Sequence, residues 1–364
     1  MNEKQFIPET HPDFKLNKNH FSNSDLRQVA YNLIKEGEPY EGAIGDFLLD
    51  WLKPSNSIEV QTSGSTGTPK KVKLLKEHMI NSARATGKFF ELPEKSTALH
   101  CLPAEFIAGK MMLVRAMVLG WEIDLVTPSS NPLDQVFKTY DFCAMTPFQL
   151  DNSIGRLHLI KKLIVGGGAV SPSLQKMVQG VKTKVYETFG MTETVSHIAA
   201  KRLNPGKKKS KPLPFKVLPD ISISTDDRSC LVIKAPKVAS DIIITNDVVE
   251  ILTYKKFIWK GRYDNVINSG GIKLYPEEIE HKLNKIIKRR FFVTGMPDDA
   301  LGEKLVLFVE ADFSEELLEE LQKEIKYLKS LDKYEIPKKI YLIQKFEETP
   351  NGKIHREKTL KSRI

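Results

Sequence analysis

The stretch Thr62–Lys70, TSGSTGTPK, combines hydroxyl side chains, two glycines, a proline and a lysine, with no bulky or acidic group. Glycine lets a backbone turn sharply and approach a ligand closely, so successive N–H groups can converge on phosphate oxygens. The hydroxyls of Thr62, Ser63, Ser65 and Thr66 add donors, and Lys70 and Lys71 add charge. The loop is not of Walker type, which needs four residues between its glycines; Gly64 and Gly67 have two. A glycine-rich stretch can also be a plain flexible connection, and these residues alone leave both readings open. Three further groups stand out. Gly166-Gly167-Gly168-Ala169 suits either a tight turn or a close approach of backbone to a ligand. In TFGMTET, Thr188 to Thr194, the carboxylate of Glu193 stands between two threonines, which an ordinary strand end does not explain. Near the C-terminus, Pro350-Asn351-Gly352-Lys353 offers a flexible ammonium group behind a glycine.

These groups need elements to position them. Ser57–Gln61 and Lys71–Leu75 read as short strands flanking the glycine loop, with a helix over Lys76–Phe90. Strand and helix signals then alternate: Thr97–Leu102, helix Ile107–Leu119, Trp121–Val126, Phe142–Met145, Lys161–Val165, a helix from Ser171, and Lys184–Phe189. That rhythm predicts an α/β fold with a mostly parallel sheet. Short strands without helices follow at Phe215–Ser224, Cys230–Lys234, Asp241–Thr245 and Val248–Thr253, which suit a small antiparallel sheet. After Gly261 a second unit begins, with helices over Pro276–Ile287 and Ser314–Leu331 and strands over Arg290–Gly295, Lys304–Ala311 and Lys339–Gln344. The expected domains are 1–263 and 264–364.

At 364 residues the chain is long enough for two domains, with 41% hydrophobic and 28% charged residues, as in ordinary globular proteins. No apolar run reaches membrane-spanning length, and the N-terminus lacks an apolar leader. The three scattered cysteines, Cys101, Cys143 and Cys230, make neither a disulfide framework nor a zinc pattern. Together these predict a cytoplasmic protein without a membrane partner. The net charge of +9 suits small polyphosphate ligands. Part of it lies in Lys201–Lys211, KRLNPGKKKSK, which reads as a solvated loop. Nucleic acid is not an expected partner, because no basic stripe interleaved with aromatics occurs.

Five segments, in order, resemble the adenylate-forming superfamily of acyl-CoA and aryl-CoA synthetases. They are TSGSTGTPK, YETFGMTETVSH from Tyr186, TNDVVEI from Thr245, GRYDNVINSGGIKLYPEEIE from Gly261 and TPNGKIHREK from Thr349. The resemblance spans about residues 58 to 360. It implies a large N-terminal α/β domain, with a mostly parallel sheet plus a small antiparallel sheet, and a smaller, mobile α+β C-terminal domain. It also implies ATP, Mg²⁺ and coenzyme A. A carboxylate attacks the α-phosphorus of ATP to give an acyl-adenylate and pyrophosphate, and a thiol then displaces AMP. By the same resemblance Thr62, Ser63, Gly64, Ser65, Thr66, Gly67 and Lys70 hold phosphates. Gly167, Gly168, Ala169, Thr188 and Phe189 line adenine, with Phe189 in place of the usual tyrosine. Thr192 contacts phosphate and Glu193 holds Mg²⁺. Asp247 accepts from the ribose hydroxyls, although Asn246 replaces the usual glycine before it, and Arg262 assists. Lys353 drives adenylation, Asp264 is the hinge, and Gly270 and Gly271 border the CoA channel.

Within the family, LPAEFIAG from Leu102 is similar to LPLFHISG of the o-succinylbenzoate–CoA ligases of menaquinone synthesis, with Phe106 in place of histidine. Arg115 matches an arginine that there helps hold the substrate's spare carboxylate; on a helix it could equally face solvent. A dianionic acid needs such a cation. Only 61 residues precede Thr62, so the N-terminal region is abbreviated relative to the family. The resemblance therefore implies an acid–CoA ligase acting on o-succinylbenzoate. The alternatives are another aryl- or acyl-CoA ligase, an enzyme charging a carrier-protein thiol, or a non-catalytic nucleotide-binding regulator. The last would be free to lose Thr192, Glu193, Asp247, Arg262 and Lys353, all of which are present. The sequence leaves association into a homo-oligomer open.

Overall fold

The computed structural model describes residues 6–61, 71–206, 213–348 and 354–361. The chain divides into two compact units, the first comprising residues 1–224, 232–244 and 251–258 and the second residues 225–231, 245–250 and 259–364. Asp264 falls in the second unit, in the single helical turn Tyr263–Asn265.

The first unit opens with a two-stranded ribbon, β1 (Lys15–Leu16) and β2 (Asn19–His20), and helices α1 (Asn23–Glu36) and α2 (Pro39–Leu52). The hairpin strands β3 (Ser57–Gln61) and β4 (Lys71–Leu75) follow, then helix α3 (Lys76–Phe90). The alternating region comprises β5 (Thr97–His100), α4 (Ile107–Leu119), β6 (Glu122–Leu125), β7 (Tyr140–Met145), α5 (Pro147–Ser153), β8 (Ile160–Val165), α6 (Pro172–Met177) and β9 (Lys184–Gly190). Strands β6, β5, β7, β8 and β9 pair in that order, all parallel, as the βα rhythm predicted. Two antiparallel strands extend the sheet beyond β9: β10 (His197–Arg202) and β11 (Phe215–Val217).

Successive residues of a strand face opposite sides, and the core follows that alternation. Ala98, Phe142, Ala144 and Ile164 join the apolar cluster that includes α3 and α4, whereas Leu99, Cys143, Met145, Leu163 and Val165 join a second cluster with α5 and α6. Helix α4 is buried on every side from Met111 to Met117, a stretch that is apolar except for Arg115.

Strands β12 (Ser222–Thr225), β13 (Cys230–Lys234), β14 (Ile243–Thr253) and β15 (Lys256–Arg262) have their residues divided between the units. The strand expected over Phe215–Ser224 is broken at Leu218–Ile221, where Asp220 takes φ +60°. The two expected over Asp241–Thr245 and Val248–Thr253 are one continuous strand. The rest of the second unit has β16 (Ile267–Ser269), β17 (Ile272–Leu274), α7 (Pro276–Leu283), β18 (Phe291–Asp298), β19 (Gly302–Glu310), α8 (Glu315–Tyr327), β20 (Lys339–Ile343) and α9 (Arg356–Lys361). Its sheet runs β17-β16-β19-β18 with β20 parallel to β19. No helix among the described residues is long and apolar enough to cross a membrane.

Candidate active site

Gly166 to Ala169 leave the end of β8, and Thr188 and Phe189 lie at the end of β9 beside it. Open α/β sheets bind ligands outside the carboxyl ends of their strands, and both groups expected to line adenine stand there. Thr188 donates its hydroxyl proton to the Val165 carbonyl at 3.0 Å. A methyl at Gly166 would come within 2.8 Å of that hydroxyl oxygen, so a glycine is needed where the small-residue run begins. A Cβ at Gly167 would meet nothing within 4 Å, and one at Gly168 only Pro147 Cγ at 3.8 Å. The Phe189 ring meets Phe257 and Phe215 edge-on at 5.3 and 5.8 Å, and those two stack on each other at 5.4 Å. Core aromatics thus hold the Phe189 ring in place.

The chain then turns sharply. Thr192–Thr194 form one helical turn, with Glu193 exposed and Thr192 half-buried. The Thr194 hydroxyl accepts from Met191 N at 3.1 Å and lies 2.8 Å from the Ser196 carbonyl. Val195 adopts φ 64° and ψ −50°, and Ser196 N donates to the Thr194 carbonyl at 2.6 Å. This is the rare γ-turn of positive φ, strained for a β-branched residue by about 1–3 kcal/mol. The buried side chain of Val195, 1% exposed, anchors it. Opposite lies Gly190: a Cβ there would meet the Ser196 carbonyl oxygen at 2.4 Å and His197 Cα at 2.5 Å. Strand β10 can return along β9 only because residue 190 has no side chain. Among the described residues Glu193 belongs to no group of three metal-ligating side chains. A lone exposed carboxylate fits Mg²⁺, which is commonly held by one or two carboxylates together with substrate phosphates.

Arg115, at 2% exposure, is buried in α4 and does not face solvent. Its Nη2 donates to Ser196 Oγ at 2.7 Å, and its Nε lies 3.4 Å from Thr86 Oγ1. Ser196 Oγ is in turn 3.2 Å from His197 Nδ1. Burial, helped by the Arg115 charge, pushes the His197 imidazole well below its ordinary range, so it is neutral. Phe106, at the start of the same helix, is 50% exposed.

In the second unit Asp247 accepts from Trp259 Nε1 at 2.9 Å, and Arg262 Nη1 lies 3.8 Å from its other oxygen. Burial raises the Asp247 carboxyl above its ordinary 3.8, against the lowering effects of Trp259 and Arg262. Arg262 Nη2 reaches Asp264 at 3.1 Å, and Asn246 Nδ2 reaches the two Asp264 oxygens at 3.2 and 3.3 Å. The asparagine that departs from the usual glycine therefore ties the segment before Asp247 to the expected hinge. Gly270 and Gly271 form the two-residue turn between β16 and β17, with φ +58° and +80°. That conformation alone favours glycine at both positions.

Thr62 to Lys70 and Lys353 lie outside the described residues. The structure thus brings Thr188 and Phe189 next to the glycine run in the first unit, and Asp247, Arg262 and Asp264 together in the second. Sequence reasoning assigned no role to Ser196, His197 or Trp259. The first two lie within the YETFGMTETVSH segment itself, whereas nothing in the sequence marks Trp259 as a partner of Asp247.

Comparison with known proteins agrees with this architecture. The sequence pattern of the family described as "AMP-binding enzyme" matches residues 60–227. A 2-succinylbenzoate–CoA ligase of Listeria monocytogenes is 26% identical over 361 residues, which cover 91% of this chain and 74% of the relative. The o-succinylbenzoate CoA synthetase of Bacillus subtilis, solved with its acyl-adenylate intermediate, superposes with a TM-score of 0.75 at 16% identity, covering 95% of this chain and 94% of that one. The acyl-CoA synthetase (AMP-forming)/AMP-acid ligase II-like protein of Dyadobacter fermentans is 36% identical, with a TM-score of 0.61. It is matched over 92% of this chain and 98% of its own. With that identity sustained over nearly the whole of both chains, this protein belongs to the AMP-binding enzyme family.

Proposed function

We propose that the protein is an AMP-forming acid–CoA ligase whose acid is o-succinylbenzoate. The observation that carries the reading is the site at the ends of β8 and β9, where the small-residue run adjoins Thr188 and Phe189 and leads into Thr192 and Glu193. Relatives named 2-succinylbenzoate–CoA ligase, matched over 91% and 80% of this chain, support the choice of acid.

In the first half-reaction a carboxylate oxygen of the acid bonds to the α-phosphorus of ATP, and the bond from that phosphorus to the bridging oxygen breaks, releasing pyrophosphate. Two anions meet, so the protein's contribution is positive charge and oriented donors. Gly167, Gly168 and Ala169 allow adenine to approach the backbone, with the Phe189 ring against it. Thr192 and the Thr62–Lys70 loop donate to phosphate oxygens. Glu193 would hold Mg²⁺, which supplies charge neutralisation on the phosphates. Asp247 offers two acceptor oxygens to the vicinal ribose hydroxyls, and Lys353 neutralises the attacking carboxylate and the α-phosphate. In the second half-reaction the CoA thiolate bonds to the acyl carbon and AMP leaves, with Asp264 the hinge between steps and Gly270-Gly271 beside the pantetheine path.

Pyrophosphate release with ATP, measured across a panel of acids with and without CoA, tests this reading. Turnover of o-succinylbenzoate to its CoA thioester is expected. Turnover of benzoate with none of o-succinylbenzoate would defeat the choice of acid, and no release with any acid would defeat the ligase reading.

A further inference from the structure

Asp247 has one oxygen engaged and one open. Its Oδ1 accepts from Trp259, while its Oδ2 accepts no hydrogen bond among the described residues. Arg262 Nη1 stands 3.8 Å from that open oxygen, beyond hydrogen-bond reach, and Arg262 Nη2 is committed instead to Asp264 at 3.1 Å. Electrostatics alone would not divide the guanidinium this way. The Asp264 side chain is 57% exposed and that of Asp247 11%, and an ion pair is worth more where water screens it less. Left free, Arg262 would close on Asp247, so something must hold Asp264 in its reach.

The turn between β12 and β13 supplies the hold. Asp226 accepts from the backbone N–H groups of Arg228 and Cys230 at 2.9 and 2.8 Å, and takes Nε and Nη2 of Arg228 at 2.9 and 2.8 Å. So fixed, the Arg228 guanidinium lies over the Tyr263 ring at 5.1 Å, and its Nη1 donates to Asn246 Oδ1 at 3.0 Å. A guanidinium only donates and a carboxylate only accepts. Asn246 must therefore turn its oxygen to Arg228 and its nitrogen to Asp264, whose two oxygens it meets at 3.2 and 3.3 Å. A glycine at 246 would reach neither neighbour, and an aspartate would repel Asp264. All of these residues belong to the second unit.

We propose that Arg228 and Asn246 are positioning residues for the nucleotide: they hold Asp264 so that it draws Arg262 off Asp247 and leaves Asp247 Oδ2 open to a ribose hydroxyl. Neither residue touches the nucleotide itself. The inference rests on the ribose role of Asp247 in the proposed function, and it gives a purpose to the asparagine that stands in place of the usual glycine.

The test measures KM and kcat for ATP and 2′-deoxy-ATP by pyrophosphate release. It compares the wild type with Asn246→Gly, Arg228→Ala, Arg228→Lys, Arg262→Ala and the double variant Asn246→Gly with Arg262→Ala. Asn246→Gly and Arg228→Ala should each raise KM for ATP about fivefold, short of a full hydrogen bond to a charged group, with kcat little changed. Both should narrow the preference for ATP over 2′-deoxy-ATP. Arg228→Lys, which keeps a donor for Asn246, should restore part of that preference. With Arg262→Ala in place, Asn246→Gly should add nothing, because no guanidinium remains to close on Asp247. Unchanged KM and preference in Asn246→Gly, or the same effect of that substitution with and without Arg262, would overturn the proposal. If Asp247→Asn alters the preference and Asn246→Gly does not, the proposal alone fails. If Asp247→Asn leaves the preference unaltered, the ribose role fails and the proposal with it. Should no acid release pyrophosphate, calorimetric titration of the same variants with ATP and 2′-deoxy-ATP decides: the same pattern in Kd supports the proposal, and equal affinity of the wild type for the two nucleotides overturns it.

Discussion

At the scale of single residues, the surroundings of the proposed site groups alter them. Asp247 is a buried carboxylate shared between Trp259 and Arg262, and burial raises it above 3.8. In the proposed ribose role only the ionised form would offer acceptors to both hydroxyls, so ATP affinity should fall as pH drops through a value above the ordinary carboxylate one. Asp247→Asn should remove that acid limb and raise KM for ATP about tenfold. It should also erase discrimination between ATP and 2′-deoxy-ATP in pyrophosphate release; an unchanged preference would refute the ribose role. Asn246 shows how a departure from a family pattern can still be legible once contacts are known. As a letter it is a lost glycine, whereas in space its amide joins Asp264. Trp259 was invisible for the converse reason, since an indole twelve residues along the chain becomes a partner only when β14 and β15 lie side by side.

At the scale of elements, the pair β9–β10 decides where the site turns. A side chain at residue 190 would strike the returning strand at 2.4 Å. Gly190→Ala should therefore cost about 1–3 kcal/mol, as overpacking does, and should lower the turnover of ATP. A urea midpoint equal to that of the wild type would contradict this. In the second unit Glu280 of α7 accepts from Val293 N at 2.9 Å and pairs with Arg356 of α9 at 2.9 Å. Burial lifts its carboxyl from 4.5 to about 7 against those lowering partners. An acid raised on folding keeps its proton longer in the folded chain than in the unfolded one. Across the window from 4.5 to about 7 the folded chain holds the extra proton, so stability falls as pH rises there. The melting temperature should drop between pH 5 and 7, at roughly 2–4 °C for each kcal/mol lost, and Glu280→Gln should flatten that slope. A variant with the slope of the wild type would exclude Glu280 as its source. Elements were the most readable level: β3, β4, α3 and α4 lie where hydrophobic period and flanking residues predict them, residue for residue. Strand β10 was missed because the turn before it is made by Val195, with no glycine, proline or asparagine to announce it.

At the scale of the whole molecule, the chain has two compact units, and the half-reactions of the proposed function offer a way to test the roles proposed for their residues. Lys353→Ala should reduce pyrophosphate release by at least about a hundredfold, the loss expected when a group stabilising transition-state charge is removed. Thioester formation from supplied acyl-adenylate and CoA should be largely retained. Equal loss of both steps, read by thioester absorbance, would remove Lys353 from the adenylation role. The α/β class, the ligase family and the order of its motifs were all determined by the sequence by itself. Those properties depend on local spacing and on residue types whose chemistry is intrinsic, such as a carboxylate between threonines or glycines after a strand. What only the tertiary structure decided is which side chains share an environment. It buried Arg115 against Ser196, set that serine beside His197, and set Asn246 on Asp264. Burial and hydrogen-bond partnership are properties of atoms brought together from distant parts of the chain, and they exist only once the strands have paired and the core has closed.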